Sequence, residues 1–337
     1  MNNIMNFIRL IRLENLLLLF VVQYLVKYFI VEELVISSIL SEIQFFYLVI
    51  SSVSIAAAGY VVNDIYDIDI DQFNNKDNVI SNGSISIQAA WIFYIILNII
   101  GLYIGSFLAF DINQPWFSLI FLYSIISLWL YSKNMKKTFL LGNIQVSVLA
   151  SLSIINIALF DLLPLLQSNN LNNHIVNKSV IHNIQISVII ILIYAIFSFL
   201  LTLIRELIKD VEDVEGDQKK GAETLIIKLG YSKTKWVILS VCYLVLLLIL
   251  FFQYLQYSLI STKFILIHEG EKYNNIEFWG ANIESIIYTL IIEITLIVFI
   301  YKIGHTYKKK QFSFLSKFAK IIIVLGILSI PIFSYFN

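Results

Sequence analysis

Charge is scarce in this 337-residue chain: only 14% of its residues are Asp, Glu, Lys or Arg, against about a quarter in soluble domains. Hydrophobic residues make up 59%, and a soluble fold has nowhere to bury that much apolar side chain. Cysteine is almost absent. The single Cys242 excludes an intramolecular disulfide and any multi-cysteine metal centre, and inside an apolar run it reads as a small hydrophobe. Proline is equally rare, with three residues, and no Gly/Ser-rich linker interrupts the chain, so 1–337 reads as one helical domain. Acids and bases balance at 23 each, which gives no overall attraction to nucleic acid.

What the chain does have is apolar runs near the length that crosses a bilayer, about 20 residues at 1.5 Å rise. Spans are expected at about 16–36, 45–65, 88–110, 115–132, 139–161, 184–206, 236–257, 284–303 and 319–336. The fold class is therefore all-α, a polytopic membrane bundle of about nine transmembrane helices. The first run follows Arg9 and Arg12 in the manner of a signal peptide. No small-residue cleavage pattern follows it and eight further spans do, so a retained first helix is expected.

The positive residues choose a side. Arg9, Arg12, Lys76, Lys133, Lys136 and Lys137, with the clusters at 205–235 and 302–320, all fall on the side of the N-terminus. Lys178, Lys263 and Lys272 fall on the other, and Lys27 lies within the first span. The positive-inside rule makes the first side cytoplasmic and places the protein in the cell (inner) membrane as a multi-pass protein. The polar stretches 167–177 and 261–283 are then external loops. Lys308, Lys309 and Lys310 read as topological charges. Among charges within spans, Lys27 is expected to snorkel and Glu293 to face a polar cavity.

Two acidic clusters carry chemistry. Asn63-Asp64-Ile65-Tyr66-Asp67-Ile68-Asp69-Ile70-Asp71 closes the second span, and Arg205-Glu206-Leu207-Ile208-Lys209-Asp210-Val211-Glu212-Asp213-Val214-Glu215-Gly216-Asp217 closes the sixth. Both contain Asp-x-x-Asp-x-x-x-Asp: Asp64, Asp67, Asp71 and Asp210, Asp213, Asp217. The copies lie 146 residues apart, each after an even-numbered span, as in a duplicated helical unit. At 100° per residue each trio falls on one helical face, and Asn63, Asp67 and Asp71 form a second stripe at i, i+4, i+8. Like charges so placed repel unless something cationic sits between them. Hard oxygen ligands without His or Cys select Mg²⁺ or Ca²⁺ over zinc, and Mg²⁺ commonly completes its octahedron with phosphate oxygens and water. Carboxylate walls with Mg²⁺ between them suit a diphosphate. Arg205 and Lys209, Lys136 and Lys137 after Tyr131-Ser132, and Arg12 are the basic residues expected to hold phosphate oxygens.

At these residues the chain resembles the UbiA superfamily of intramembrane prenyltransferases. Asn63, Asp64, Asp67 and Asp71 match that family's first motif, and Asp210, Asp213 and Asp217 match its second. The likeness extends to span count, motif placement, Tyr131-Ser132 followed by Lys136, and Gly142-Asn143. The run from Arg205 to Asp217, with Lys219-Lys220-Gly221 and Thr224-Leu225, looks most like the geranylgeranylglycerol-phosphate geranylgeranyltransferase branch. One departure stands out. The family loop after the first motif carries a proline and an arginine, whereas Asn74-Asn75-Lys76-Asp77-Asn78 has neither, and Asn78 occupies the arginine's place. Either Lys76 supplies the missing charge or the diphosphate is held more weakly.

The resemblance implies an Mg²⁺-dependent transferase. Asp64, Asp67, Asp71, Asp210, Asp213 and Asp217 are implied as metal ligands. Asn63, Asp67, Asp71, Asp213 and Asp217 are implied in the reaction, and Arg12, Lys76, Tyr131, Lys136, Lys137, Arg205 and Lys209 in holding substrate. Tyr66, Tyr131 and Tyr194 are candidates to face an allylic cation, with packing as their other role. The donor is a polyprenyl diphosphate, with geranylgeranyl as the implied group, and the acceptor is the hydroxyl of a prenylated glycerol phosphate. Prenylation of an aromatic ring is the alternative, and a divalent-cation path is a third reading. No nucleic acid and no obligatory protein partner are indicated.

Overall fold

In hydrocarbon every backbone N–H and C=O must find its partner within the spanning segment, so each apolar run becomes a helix. The computed structural model describes residues 2–35, 40–73, 78–167, 176–219, 221–268, 279–306 and 310–335. Its long helices are α1 (Asn2–Leu10), α2 (Leu13–Val26), α3 (Glu42–Phe73), α4 (Ile87–Asp111), α5 (Ser118–Lys133) and α6 (Leu141–Ile157), followed by α7 (Val176–Lys219), α8 (Leu225–His268), α9 (Ile283–Gly304) and α10 (Lys310–Tyr335). Helices α2 and α6 run on through π-helical turns at Lys27–Val31 and Ala158–Leu162. Among the described residues there is no strand, and nine helices are long and apolar enough to cross a membrane. The all-α, multi-pass expectation holds.

Two boundaries differ in a way that matters. The second span was expected to end near 65 and the sixth near 206, but α3 continues to Phe73 and α7 to Lys219. Hydropathy marks where a chain leaves the apolar layer, whereas a helix continues as long as its hydrogen bonds do. Both acidic clusters therefore sit on helix, with the register that the 100° geometry assumed.

The chain divides into two units. The first comprises Met1–Gln23, Ile39–Ser168 and Asp213–Gly230. Its α3 starts from a capping box: the Ser41 N–H donates to Gln44 Oε1 at 2.9 Å, and Gln44 N–H donates back to Ser41 Oγ at 3.4 Å. Helices α3 and α4 approach closely through small residues. Ser51 Oγ donates to the Gly101 carbonyl at 2.5 Å. A Cβ on Gly105 would lie 2.5 Å from Phe121 and from Ser51 Oγ. Helix α1 is tied down where Leu10 enters a buried cluster with Val61, Ile65, Val79, Ile80 and Ala90. Phe7 packs on Phe93 at 4.8 Å between centroids. The chain then turns into α2 through Arg12, a non-glycine residue at φ 52°.

The second unit comprises Tyr24–Ser38, Asn169–Glu212 and Tyr231–Asn337. Helix α9 packs on α10. The α9 C-terminus is closed from α8, where Lys235 Nζ donates to the Gly304 carbonyl and the Tyr231 hydroxyl donates to that of Thr306 at 2.6 Å. Tyr194, one of the aromatic candidates, is spent on packing: its hydroxyl meets Ser329 Oγ at 2.8 Å and its ring stands edge-on to Trp279. Cys242 is a buried free thiol, as expected of a small hydrophobe. Lys27 does not snorkel. It is fully buried in its π turn, with Nζ 3.5 Å from Glu32 Oε1, because a local carboxylate gives the ammonium a partner that solvent would otherwise supply. Glu293 is buried beside Gln253, and its Oε1 meets no hydrogen-bond donor among the described residues. Lys76 lies outside the described residues, as do Lys308, Lys309, residues 168–175 of the first expected external loop and 269–278 of the second, whose 261–268 continue α8 as helix.

Candidate functional site

The site belongs to the first unit and is built around the last turns of α3. There the four motif residues are each held differently. The Arg12 Nη2 donates to Asp64 Oδ1 at 2.7 Å, and its guanidinium lies 5.1 Å from the centroid of the Tyr60 ring. Arg12 takes a left-handed backbone conformation to reach this position, a cost that a charge-assisted contact and a cation–π contact offset. One turn on, Asn63 Nδ2 donates to Asp67 Oδ2 at 2.9 Å. This is the i, i+4 stripe acting as a hydrogen bond. The other oxygen of Asp67 accepts from Lys136 Nζ at 2.5 Å, and the same ammonium approaches Asn63 Oδ1 at 3.4 Å. Asp71 accepts from the Asn78 amide, Nδ2 to Oδ2 at 2.5 Å, in a buried pair.

Lys136 arrives from a single 3₁₀ turn, Met135–Lys137, between α5 and α6. That turn is backed by Gly142, where an added Cβ would come 2.7 Å from the Met135 carbonyl oxygen and 2.8 Å from Lys136 Cα. The next helix start therefore presses on the backbone that carries the ammonium. From the other side, the Glu223 N–H donates to the Lys137 carbonyl at 2.7 Å, and the Ala222 N–H donates to that of Asp217 at 3.0 Å. The chain following the second acidic cluster is thus anchored beside the lysine turn, and the Asp217 carboxylate acts electrostatically on Lys136. Burial pushes the Lys136 ammonium below the usual lysine range, while Asp67 and, more weakly, Asp217 pull it back up.

The structure thus brings Arg12, Asn63, Asp64, Asp67, Lys136 and Asp217 together in one unit, with Asp71 two turns below Asp64 on α3. Asp213 belongs to the same unit, half-buried on α7. Asp210, one turn earlier on α7, is counted with the second unit, together with Arg205 and Lys209. Those two basic residues are engaged by a residue that the motif reading did not single out. Glu206, which is buried, accepts from Arg205 Nη1 at 3.0 Å and from Lys209 Nζ at 3.1 Å. Its position between two cations at i−1 and i+3 was the available signal. Tyr131 is half-buried at the end of α5, and Lys137 enters these contacts through its carbonyl. Tyr66 packs edge-on against Trp91 at 6.2 Å. Asn78, expected only as a missing arginine, is a buried member of the site.

Among the described residues no three acidic or imidazole side chains converge on one point as a ready-made metal cage. That fits Mg²⁺, which takes one or two carboxylates and leaves the remaining positions to phosphate oxygens and water. A set of aspartates flanked by an ammonium and a guanidinium matches a magnesium diphosphate in charge on both sides.

Comparison with known proteins gives a consistent picture. Residues 21–267 match the UbiA prenyltransferase family. The digeranylgeranylglyceryl phosphate synthase of Sulfolobus acidocaldarius is 33% identical over 187 residues, which is 56% of this chain and 58% of that relative. The chain thus spans less than two thirds of that relative's length. A solved structure of digeranylgeranylglyceryl phosphate synthase in membranes superposes with a TM-score of 0.60 at 23% identity, covering 98% of both chains. A UbiA homolog from Archaeoglobus fulgidus, bound to DMAPP and Mg²⁺, gives 0.53 at 15% identity over 97% of this chain and 99% of that one. At these identities the two structures establish a shared fold.

Proposed function

The chain belongs to the UbiA prenyltransferase family, and from that premise we propose that it transfers a geranylgeranyl group from its diphosphate to the free hydroxyl of a prenylated glycerol phosphate. The product is an ether lipid. The observation that carries this reading is the contact of Lys136 with Asp67 and Asn63, at 2.5 and 3.4 Å. It puts a buried cation and metal-type carboxylates in one place, which is what a metal–diphosphate leaving group requires. The ether-lipid acceptor is supported by the name of the relative aligned with this chain, a digeranylgeranylglyceryl phosphate synthase.

In this mechanism Asp64, Asp67 and Asp71 on α3, with Asp213 and Asp217 on α7, would hold Mg²⁺. Such an ion would supply neutralisation of the diphosphate charge, which would ease cleavage of the allylic C–O bond. Arg12 and Lys136 bind phosphate oxygens, Arg12 through its planar fork and Lys136 as a point charge. Asn63 orients Asp67. Arg205 and Lys209 are held by Glu206 within the second unit. The apolar bundle excludes water, which would capture the prenyl cation. The whole chain acts as one prenyltransferase domain, and the family match, drawing on residues of both units, supports this. The lysine and arginine bias puts the aspartate ends of α3 and α7 in the cytoplasm. The aspartates lie at the end of a span and beside cations, whereas a cation transporter gathers its ligands near the midplane on interrupted helices.

The test is transfer of radiolabel from geranylgeranyl diphosphate by purified protein with Mg²⁺. Geranylgeranylglycerol phosphate and an aromatic acid are offered separately, and an Asp67→Ala, Asp213→Ala variant is the control. Labelled diether lipid, absent in the variant, is the expected result. Label in the aromatic product alone would overturn the acceptor, and no transfer to either would overturn the reading.

A further inference from the structure

The pair formed by Asn78 and Asp71 has no counterpart in the roles assigned so far. Asp71 ends the carboxylate stripe on α3 and Asn78 lies seven residues later, yet both are buried and joined at 2.5 Å. The amide has its two ends committed. Nδ2 donates to Asp71, while Oδ1 accepts the Ile80 N–H at 2.9 Å. That second bond fixes which end of the amide faces the carboxylate. The backbone carbonyl of Asn78 in turn accepts from Ser81 Oγ and from the Asn82 N–H, both at 3.0 Å. Ile85 N–H closes the turn onto the Val79 carbonyl at 2.9 Å.

The turn is not free to drift. Val79 and Ile80 are both buried, in the cluster that contains Val61 and Ile65 of α3, Leu10 of α1 and Ala90 of α4. The helix that carries the aspartates and the turn that carries Asn78 therefore share one hydrophobic anchor. An amide fixed this way sets the rotamer of Asp71 to a fraction of what free rotation would allow. It also does so through a neutral donor. Arg12 and Lys136 meet Asp64 and Asp67 with full positive charge, whereas the contact from Asn78 orients its carboxylate and adds none.

Resting on the proposed magnesium diphosphate reading, we infer that Asn78 is a positioning residue for Asp71: it presents this carboxylate to the divalent cation of the prenyl diphosphate complex. It does not itself take up phosphate in the manner of a basic residue. The position where the arginine is expected thus works on the metal side of the site.

Asn78→Ser separates this role from a structural one, because serine can still accept the Ile80 N–H and keep the turn, more weakly, but is too short to reach Asp71. The experiment is Mn²⁺ binding counted by electron paramagnetic resonance on the full chain in nanodiscs, with geranylgeranyl diphosphate saturating and no acceptor. Thermal midpoints are measured alongside. Loss of such an orienting contact typically weakens metal affinity about 10- to 100-fold. That loss is expected for Asn78→Ser, with no further loss when Asp71→Asn is added to it. Wild-type Mn²⁺ affinity in Asn78→Ser, with a lowered midpoint, would reduce Asn78 to a turn residue and overturn the inference. Losses that add in the double variant would overturn it too. Failure of the wild-type protein to bind Mn²⁺ and the diphosphate together would instead sink the proposed function, and this inference with it.

Discussion

Lys136 Nζ and Asp67 Oδ1 stand 2.5 Å apart, with side chains only 12% and 16% exposed, although 69 residues separate them in sequence. A lysine from the α5–α6 turn thus pairs with a carboxylate that the proposed chemistry assigns to a metal ion. Arg12 does the same at Asp64. Two of the motif carboxylates are thus compensated by cations from elsewhere in the chain.

Lys136→Gln removes the charge and keeps a donor of similar reach. A hydrogen bond to a charged group contributes about 1.5–3 kcal/mol. The KM for geranylgeranyl diphosphate should therefore rise about 10- to 100-fold. In the same variant, divalent-ion affinity without diphosphate should increase, since Asp67 no longer has an ammonium to exchange. A fall in both affinities would show that the lysine only maintains structure.

Gly142→Ala should act on the lysine turn from behind. The added methyl meets the backbone of Met135 and Lys136 at 2.7–2.9 Å, with no flexible side chain to give way. Overpacking of this kind costs about 1–3 kcal/mol. A lowered thermal midpoint together with a raised KM for the diphosphate is expected. Gly326→Ala, where nothing lies within 4 Å, serves as the silent control. Equal behaviour of the two variants would remove Gly142 from the account of the site.

Arg12→Ala leaves the Asp64 carboxylate, itself 9% exposed, without its guanidinium. With the arginine side chain 35% exposed, the loss should be modest, about 1–2 kcal/mol. Asp64→Asn in the same background should recover part of it, because the uncompensated charge is gone. Additive losses in the double variant would mean that the two residues contribute independently.

Chelation should distinguish activity from stability. EDTA is expected to abolish transfer while leaving the thermal midpoint of the substrate-free protein unchanged, because Arg12, Lys136 and Asn78 already satisfy Asp64, Asp67 and Asp71 of α3. A midpoint that falls on chelation alone would show that the metal is structural.

Much of this molecule was legible along the chain. The nine spans, the two acidic clusters and their placement on one helical face follow from period and composition, since a bilayer imposes one length and one backbone solution on every segment. Arg12 and Lys136 could be named from their type and from the side on which they fall. Glu206 could not be separated from its neighbours, because an acid between two bases reads equally well as ligand, partner or solvated surface. Its burial against Arg205 and Lys209 decided the matter.

The sequence by itself determined that the chain is helical, crosses a membrane repeatedly and carries two matched aspartate motifs, because each of these is written in local periodicity. Which cation meets which carboxylate was decided only by tertiary structure. Lys136 reaches Asp67 from a 3₁₀ turn pressed by Gly142, Arg12 reaches Asp64 across 52 residues through a left-handed backbone, and Asn78 reaches Asp71 from a turn anchored by Val79 and Ile80. The reason is physical. Helical register is set by hydrogen bonds four residues apart, whereas these pairings depend on how separate elements pack, and no local rule carries that information.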